Sequence, residues 1–276
     1  MKRDQVEKLL TACPTADHVN YPGLVRERLG FILEQLDAAC EAQKRPRDNF
    51  HVLDAGCGTG KLSLPLAAAG YRVTALDNGQ ASLDFLQQHN RWDHLKTIRF
   101  DLIHGDYASL DGGWDAIIVA AILEHLADPV TVLRQLVERA RPGCLVLGEV
   151  PNDRGAAEAA HDIRARVKGI LGQTSFYQSI SQRWRIRQAN DATDTVSLTD
   201  TPHIFPFFSA RVLDRVLRDA GLEQVRIVNF NLLVGVPLIH RLVYRSAASQ
   251  ILDARLARWM PLCLGNGWCF TARKPA

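Results

Sequence analysis

The chain has 276 residues, 47% of them apolar and 23% charged, with a net charge of +3. This is enough for one large domain, or one domain with an insertion, and the composition is that of an ordinary globular protein. The small net charge gives no argument for nucleic acid, and the longest apolar stretch (232–239) is far shorter than the roughly 20 residues of a membrane span.

The first ten residues are charged and helix-like rather than an apolar leader, which predicts a cytoplasmic protein. Apolar residues at Leu24, Leu29, Ile32, Leu33 and Leu36 predict a helix over 21–43, with Pro22 in a first turn that tolerates it. A polar linker, 44–49, carries Pro46. Segments then alternate: strand 52–55, helix 61–69, strand 72–76, helix 80–90, strand 98–104, strand 116–120, helix 129–140 and strand 144–150. Such alternation implies a parallel, doubly wound α/β sheet. After Pro151 the pattern breaks into a helical insertion, about 155–208. Regularity returns with a helix at 209–220, Ser209 as its N-cap and Gly221 after its end. Strand-like runs at 224–230 and 268–272 close the chain. The organisation read here is an N-terminal helical segment, 1–46, followed by one domain over 47–276.

The six cysteines, at 13, 40, 57, 144, 263 and 269, form no C-x-x-C pair and read as small apolar residues in a reducing compartment. No zinc or other metal site is expected.

The segment His51–Lys61, HVLDAGCGTGK, carries the chemistry. A buried strand ends in an acid and passes through glycines 56, 58 and 60 into a helix. That arrangement brings bare backbone N–H groups and a helix N-terminus near a cofactor, and a Cβ would block both the positive φ angles and the approach. Dinucleotide turns space their glycines as G-x-G-x-x-G. Here they alternate, and Asp54 before them suits a cationic ligand better than a pyrophosphate.

Leu53-Asp54-Ala55-Gly56-Cys57-Gly58-Thr59-Gly60 resembles motif I of the class I S-adenosylmethionine-dependent methyltransferases. The resemblance extends over about residues 50–150, with weaker echoes at the C-terminus. It implies a Rossmann-like, doubly wound seven-stranded sheet whose last strand is antiparallel, with S-adenosylmethionine as cofactor. Cys57 inside the turn is expected to give compactness. Asp77, at the end of the second strand and about twenty residues past the first glycine, is placed to hold ribose hydroxyls, with Asn78 beside it. The alternative for Asp77 is a cap on the next helix. By the resemblance, Asp106 accepts from the adenine amino group with Tyr107 nearby; the alternative is a surface turn. Ala121–Leu123 is expected along the methionine moiety. Leu123-Glu124-His125-Leu126 followed by Asp128-Pro129 is similar to the branch that includes ubiquinone-type and other small-molecule O-methyltransferases. A nicotinamide oxidoreductase is the other reading of the same fold.

Methyl transfer to a hydroxyl needs alignment, a dry site and a group to take the proton. Of nine histidines two stand out, His125 just past the fourth strand and His203 in a Pro- and Phe-rich loop. Glu124 is a candidate base or orienter beside His125. Tyr21, Arg183, Trp184 and Phe207 are the substrate-side candidates, with plain packing as the alternative for the phenylalanines. The insertion is rich in arginine (154, 164, 166, 183, 185, 187), which suits an anionic or lipid- or sugar-linked small-molecule acceptor, or else a solvated charged helix. Arg241, Arg245, Arg255 and Arg258, near the apolar stretch 232–239 and Trp259-Met260-Pro261-Leu262, suit peripheral contact with an anionic membrane, or the packing of a terminal helix. Two further functional readings stand beside O-methylation: an N- or C-methyltransferase, and a catalytically silent S-adenosylmethionine-binding protein.

Overall fold

In a computed structural model, the described residues are 3–13, 22–152, 207, 209–232 and 246–276. The helices are α1 (Arg3–Ala12), α2 (Pro22–Gln43), α3 (Ser63–Ala68), α4 (Gln80–His89), α5 (Pro129–Arg139), α6 (Ala210–Asp219) and α7 (Ala247–Ala257). The strands are β1 (His51–Ala55), β2 (Arg72–Asp77), β3 (Leu95–Arg99), β4 (Ala116–Ala120), β5 (Leu145–Pro151), β6 (Glu223–Asn231) and β7 (Gly267–Arg273).

They form one seven-stranded sheet in the order β3-β2-β1-β4-β5-β7-β6. The first five are parallel, β7 is antiparallel to β5, and β6 is antiparallel to β7. This is the doubly wound sheet with an antiparallel last strand that the alternation and the resemblance implied. Side chains alternate between two buried faces, as strands require. Leu53, Ile117, Val119, Val146 and Val150 join one core with α5 and α6 residues such as Leu133 and Leu217. Val52, Val73, Ile118, Leu145 and Leu147 join the other, with Leu29, Leu33 and Leu36 of α2 and Leu64 of α3. Val6 and Leu9 of α1 lie in that second cluster too. The N-terminal helices therefore pack into the core of the sheet.

Local chemistry explains the helix ends. Asp128 caps α5, its side chain accepting from Thr131 N at 3.0 Å, with Pro129 in the first turn. Ser209 caps α6 as expected, accepting from Val212 N at 3.4 Å, and Gly221 follows it with φ of +85°. The third strand differs from the expected 98–104. It runs earlier and ends at Arg99, because the Asp101 carboxylate accepts from Ile103 N at 2.8 Å and His104 N at 3.2 Å and closes a turn there. Phe100 and Leu102 still enter the core, so their apolar character was read correctly but their backbone was not. The helix after the glycine turn is also shorter, beginning at Ser63 rather than residue 61.

Candidate functional site

A parallel sheet sends the C-terminal ends of its strands to one edge, and here those ends carry the charge. Asp54 lies near the end of β1, Asp77 ends β2, Asp106 follows β3, Glu124 follows β4 and Glu149 lies near the end of β5. Five carboxylates lie along one edge, and although Arg28 of α2 pairs with one of them, Glu149, the excess of acids favours a cationic ligand.

The glycine turn, residues 56–60, leaves β1 and crosses the end of β2. Gly56 N and Cys57 N both donate to Leu76 O, at 2.8 and 2.9 Å, and Gly58 N donates to Asp77 Oδ2 at 2.8 Å. This corrects the expectation of bare backbone donors: three of the turn's N–H groups are already taken by β2. All three glycines have positive φ, of +76°, +51° and +84°. Their surroundings differ. A Cβ on Gly56 would lie 2.8 Å from Ile122 Cγ1, and one on Gly60 would lie 2.6 Å from Leu86 Cδ1. A Cβ on Gly58 would meet nothing within 4 Å. Two glycines thus permit close packing, and the third faces open space where a ligand fits.

Asp77 is half-buried and doubly engaged, its Oδ1 accepting from Gly79 N at 2.8 Å while Oδ2 holds Gly58. It does not cap α4, whose N-cap is Gly79; it braces the turn before that helix and stands beside the open glycine. Each carboxylate oxygen keeps lone-pair capacity for a diol. Asn78 is exposed, and its carbonyl accepts from Arg99 Nε at 3.3 Å. Asp54 is only 2% exposed and accepts from Ser63 Oγ at 2.6 Å. Burial, with some repulsion from Asp77, pushes its carboxyl up to about 6, while the Ser63 hydrogen bond pulls the other way. Cys57 is buried, and burial pushes its thiol far above the ordinary value, so it packs and does not react. The Thr59 hydroxyl is buried with no hydrogen-bond partner, a polar atom left over at the turn.

Asp106 is exposed and its side chain accepts from Ala108 N at 2.9 Å, capping the short turn Tyr107–Ser109. Tyr107 lies edge-on to Phe100 and its hydroxyl donates to Leu102 O at 2.6 Å. That side chain is buried in the loop and its hydroxyl is taken by Leu102.

After β4 the chain turns sharply. Ala121 has φ of +53°, unusual for a residue with a Cβ, and its N–H donates to Glu149 O at 2.9 Å. Its side chain is exposed at the sheet edge. Ile122 then packs on Gly56, and the turn Leu123–His125 follows, with Glu124 buried and His125 half-buried. The post-β4 turn and the glycine turn thus meet through Ile122 and Gly56.

An ion pair that local sequence could not announce stands beside it. Arg28 of α2 donates from Nη2 to Glu149 Oε1 at 3.1 Å and lies over the Phe230 ring at 5.8 Å. Burial works against the Arg28 charge, but Glu149, and more distantly Glu124, hold the guanidinium protonated. The partners are 121 residues apart, and nothing in the spacing of either marks the other.

The remaining candidates divide. Phe207 is wholly buried within the core of α5, α6 and β7, where it packs, as the alternative reading of the loop phenylalanines had it. His203, Tyr21, Arg183, Trp184 and the arginine-rich insertion lie outside the described residues. Among the described residues no cluster of side chains suits a metal ion, and no helix is long and apolar enough to cross a membrane.

S-adenosylmethionine fits what is present. Its sulfonium and amino group are cationic, the edge is acidic, the Gly58 side is open, and Asp77 stands where a diol can be accepted. The dinucleotide alternative fits less well, since Asp54 and Asp77 both border the turn that would have to hold a pyrophosphate.

Comparison with known proteins agrees. Residues 24–227, well over half of the chain, match a family profile described as a methyltransferase domain. A ubiquinone biosynthesis O-methyltransferase of Methylocella silvestris is 31% identical over 112 residues, covering 39% of this chain and 42% of that protein. The match therefore spans less than half of that relative's length. A protein of the same description from Ruegeria pomeroyi is 25% identical over 201 residues, covering 72% of this chain and 71% of its own. Among solved structures, an S-adenosylmethionine-dependent methyltransferase from Archaeoglobus fulgidus shares the fold, with a TM-score of 0.50 at 16% identity, covering 87% of this chain and 94% of that one.

Proposed function

The chain belongs to the family of class I S-adenosylmethionine-dependent methyltransferases, and from that premise we propose that it methylates an oxygen of a small-molecule or lipid- or sugar-linked acceptor, with a histidine as general base. When bound, S-adenosylmethionine supplies an electrophilic methyl group on a sulfonium. Everything else falls to the chain. Asp77 holds the ribose hydroxyls beside Asn78, and Asp106, steadied by Tyr107, accepts from the adenine amino group. The turn of Gly56, Cys57, Gly58 and Gly60, with Ala121, borders the methionine moiety, and Asp54 adds negative charge from beneath.

His125 is the favoured base, with Glu124 as its orienter; its imidazole takes the hydroxyl proton as the acceptor oxygen attacks. The observation that carries this is the packing of Ile122 on Gly56, which makes the turn bearing His125 one piece with the glycine turn. The base and the donor cradle then need no domain movement to meet. The relatives' names support oxygen as the acceptor atom. His203 is the second candidate base. Tyr21, Arg183 and Trp184 are proposed for the acceptor, and the arginine-rich insertion suits an anionic one.

The test uses His125→Ala and His203→Ala, assayed against a library of hydroxyl compounds with labelled S-adenosylmethionine and, in parallel, by calorimetry with S-adenosylhomocysteine. Loss of turnover with cofactor affinity retained in one variant identifies the base. Near-normal turnover in both removes the histidine mechanism. Cofactor binding by the unaltered chain without transfer to any acceptor supports the silent binding protein instead.

A further inference from the structure

Helix α7 is built inside out. Its inward face carries polar groups: Gln250 Oε1 accepts from Gly23 N at 2.7 Å and Leu24 N at 3.3 Å, and Asp253 Oδ2 accepts from Leu232 N at 3.2 Å. Gln250 thereby serves as a cap for the first turn of α2, whose N–H groups have no partners within their own helix. The approach is close enough that a Cβ on Gly23 would lie 2.6 Å from Gln250 Cβ. Ile251, Ala254 and Ala257 complete the buried side.

Its leucines face the other way. Leu252 is 57% exposed, Leu256 53% and Trp259, just past the helix, 89%. Met260, Leu262 and Leu264 continue the patch. Apart from Ile103, these are all the large exposed apolar side chains among the described residues. Positions 252, 256 and 260 are spaced by four and 259 lies beside them, so they form a single stripe along the helix and the turn after it. A contiguous stripe of this kind calls for an occupant.

Charge selects the occupant. Between residues 246 and 264 the only carboxylate is Asp253, and it is buried. The charges that flank the stripe are Arg255 and Arg258, with side chains 58% and 37% exposed. Both pair with the single carboxylate of Glu27, at 4.0 and 3.6 Å, so two guanidinium groups share one acid and positive charge is left over. A second copy docked by a two-fold axis would bring these arginines toward one another with no exposed acid on the element to meet them. An anionic, apolar plane meets both features: leucines, Met260 and Trp259 enter the interface while the arginines reach head groups.

We infer that the outer face of α7 and the Trp259–Leu264 turn form a peripheral docking surface for an anionic lipid bilayer. The inference is independent of the acceptor and of the general base, since it uses none of the residues at the carboxyl ends of β1, β2 and β4.

The experiment is co-sedimentation of the full chain with vesicles of phosphatidylcholine alone and of phosphatidylcholine mixed with phosphatidylglycerol. The unaltered protein is expected to pellet with the mixed vesicles and to be released by high salt. Leu256→Ser combined with Trp259→Ser should weaken that binding by at least about tenfold, since two large side chains leave the interface. Arg255→Gln with Arg258→Gln should weaken it on mixed vesicles only. Both double variants change exposed side chains, so urea midpoints close to that of the unaltered protein confirm that the fold is kept. Equal binding to both vesicle types, no binding to either, or unchanged binding by the Leu256/Trp259 variant overturns the inference. So does a concentration-dependent dimer in sedimentation velocity that the same variant dissolves, because a second copy would then be the occupant.

Discussion

Replacement of Asp54 by asparagine is expected to stabilise the free protein and to weaken its hold on S-adenosylmethionine. The carboxyl sits near the end of a central strand, 2% exposed, and burial raises it to about 6. An unfolded chain titrates Asp near 3.9, so the displacement is roughly two units, or about 3 kcal/mol at 1.36 kcal/mol per unit. The sign follows from proton counting. Between about pH 4 and 6 the folded state holds the proton more tightly than the unfolded state does. Stability from this group is therefore full below pH 4, falls as pH rises through 6, and is absent at neutrality. Asparagine keeps an acceptor for Ser63 Oγ and carries no charge, so Asp54→Asn should gain about 1 to 3 kcal/mol over the unaltered chain at pH 7.5 and nothing near pH 4. A bound cation reverses the balance by favouring the carboxylate. S-adenosylmethionine should then bind more tightly as pH rises from 5 to 7, release a proton below pH 6, and lose affinity in the variant. S-adenosylhomocysteine, without the sulfonium charge, should show a shallower dependence. Urea unfolding at three pH values and calorimetry in two buffers of different ionisation enthalpy measure all of this. A variant less stable than the parent at pH 7.5, or a gap that does not close in acid, refutes the reasoning.

The two glycine environments predict different defects. Gly60→Ala forces a Cβ toward Leu86 at a φ of +84° and should cost on the order of 2 kcal/mol in urea unfolding. Gly58→Ala has room and should cost only about 1 kcal/mol from its positive φ, while losing most cofactor affinity in calorimetry. Phe207→Ala removes a wholly buried ring and should cost about 3 to 5 kcal/mol with KM for the acceptor unchanged; a KM change at normal stability would return it to the substrate side. Arg28→Met leaves Glu149 without its ion-pair partner and should cost about 1 to 3 kcal/mol, discounted for partial exposure, with Glu149→Gln in the same chain recovering a good part. A double-mutant cycle on urea midpoints checks this, and strictly additive losses would dissolve the pair.

The fold was legible because parallel strands buried on both faces must be apolar along their length, and Ala116–Ala120 and Leu145–Pro151 nearly are. The cap of α6 was legible for the same kind of reason, since Ser209 acts on an N–H group three residues away, whereas Asp128, read only as part of a motif, caps α5 in the same local way. The end of β3 was missed because Phe100 and Leu102 look like strand positions, and only the side chain of Asp101 says otherwise. Legibility failed wherever the partners are far apart in sequence. Arg28 meets Glu149 and Gln250 caps Gly23 across more than a hundred residues, and in neither case does one residue's surroundings name the other. The inside-out face of α7 is a consequence of the second contact. Gln250 and Asp253 occupy the inner side of that helix, and Leu252 and Leu256 lie on its exposed side.

The same tension between structural and ligand demands governs the glycine turn. Asp77 spends one hydrogen bond on each side, to Gly58 and to Gly79, before any cofactor arrives. Those contacts fix the carboxylate against both segments it touches, so its free lone pairs point in a set direction instead of sampling rotamers. An acid that only bound ribose would have to be ordered at the moment of binding, at a cost in side-chain entropy. Turn bracing and ribose binding look like rival explanations of one aspartate in sequence; under the proposed ribose role they are compatible, because the contacts to Gly58 and Gly79 would order the carboxylate before the cofactor arrives.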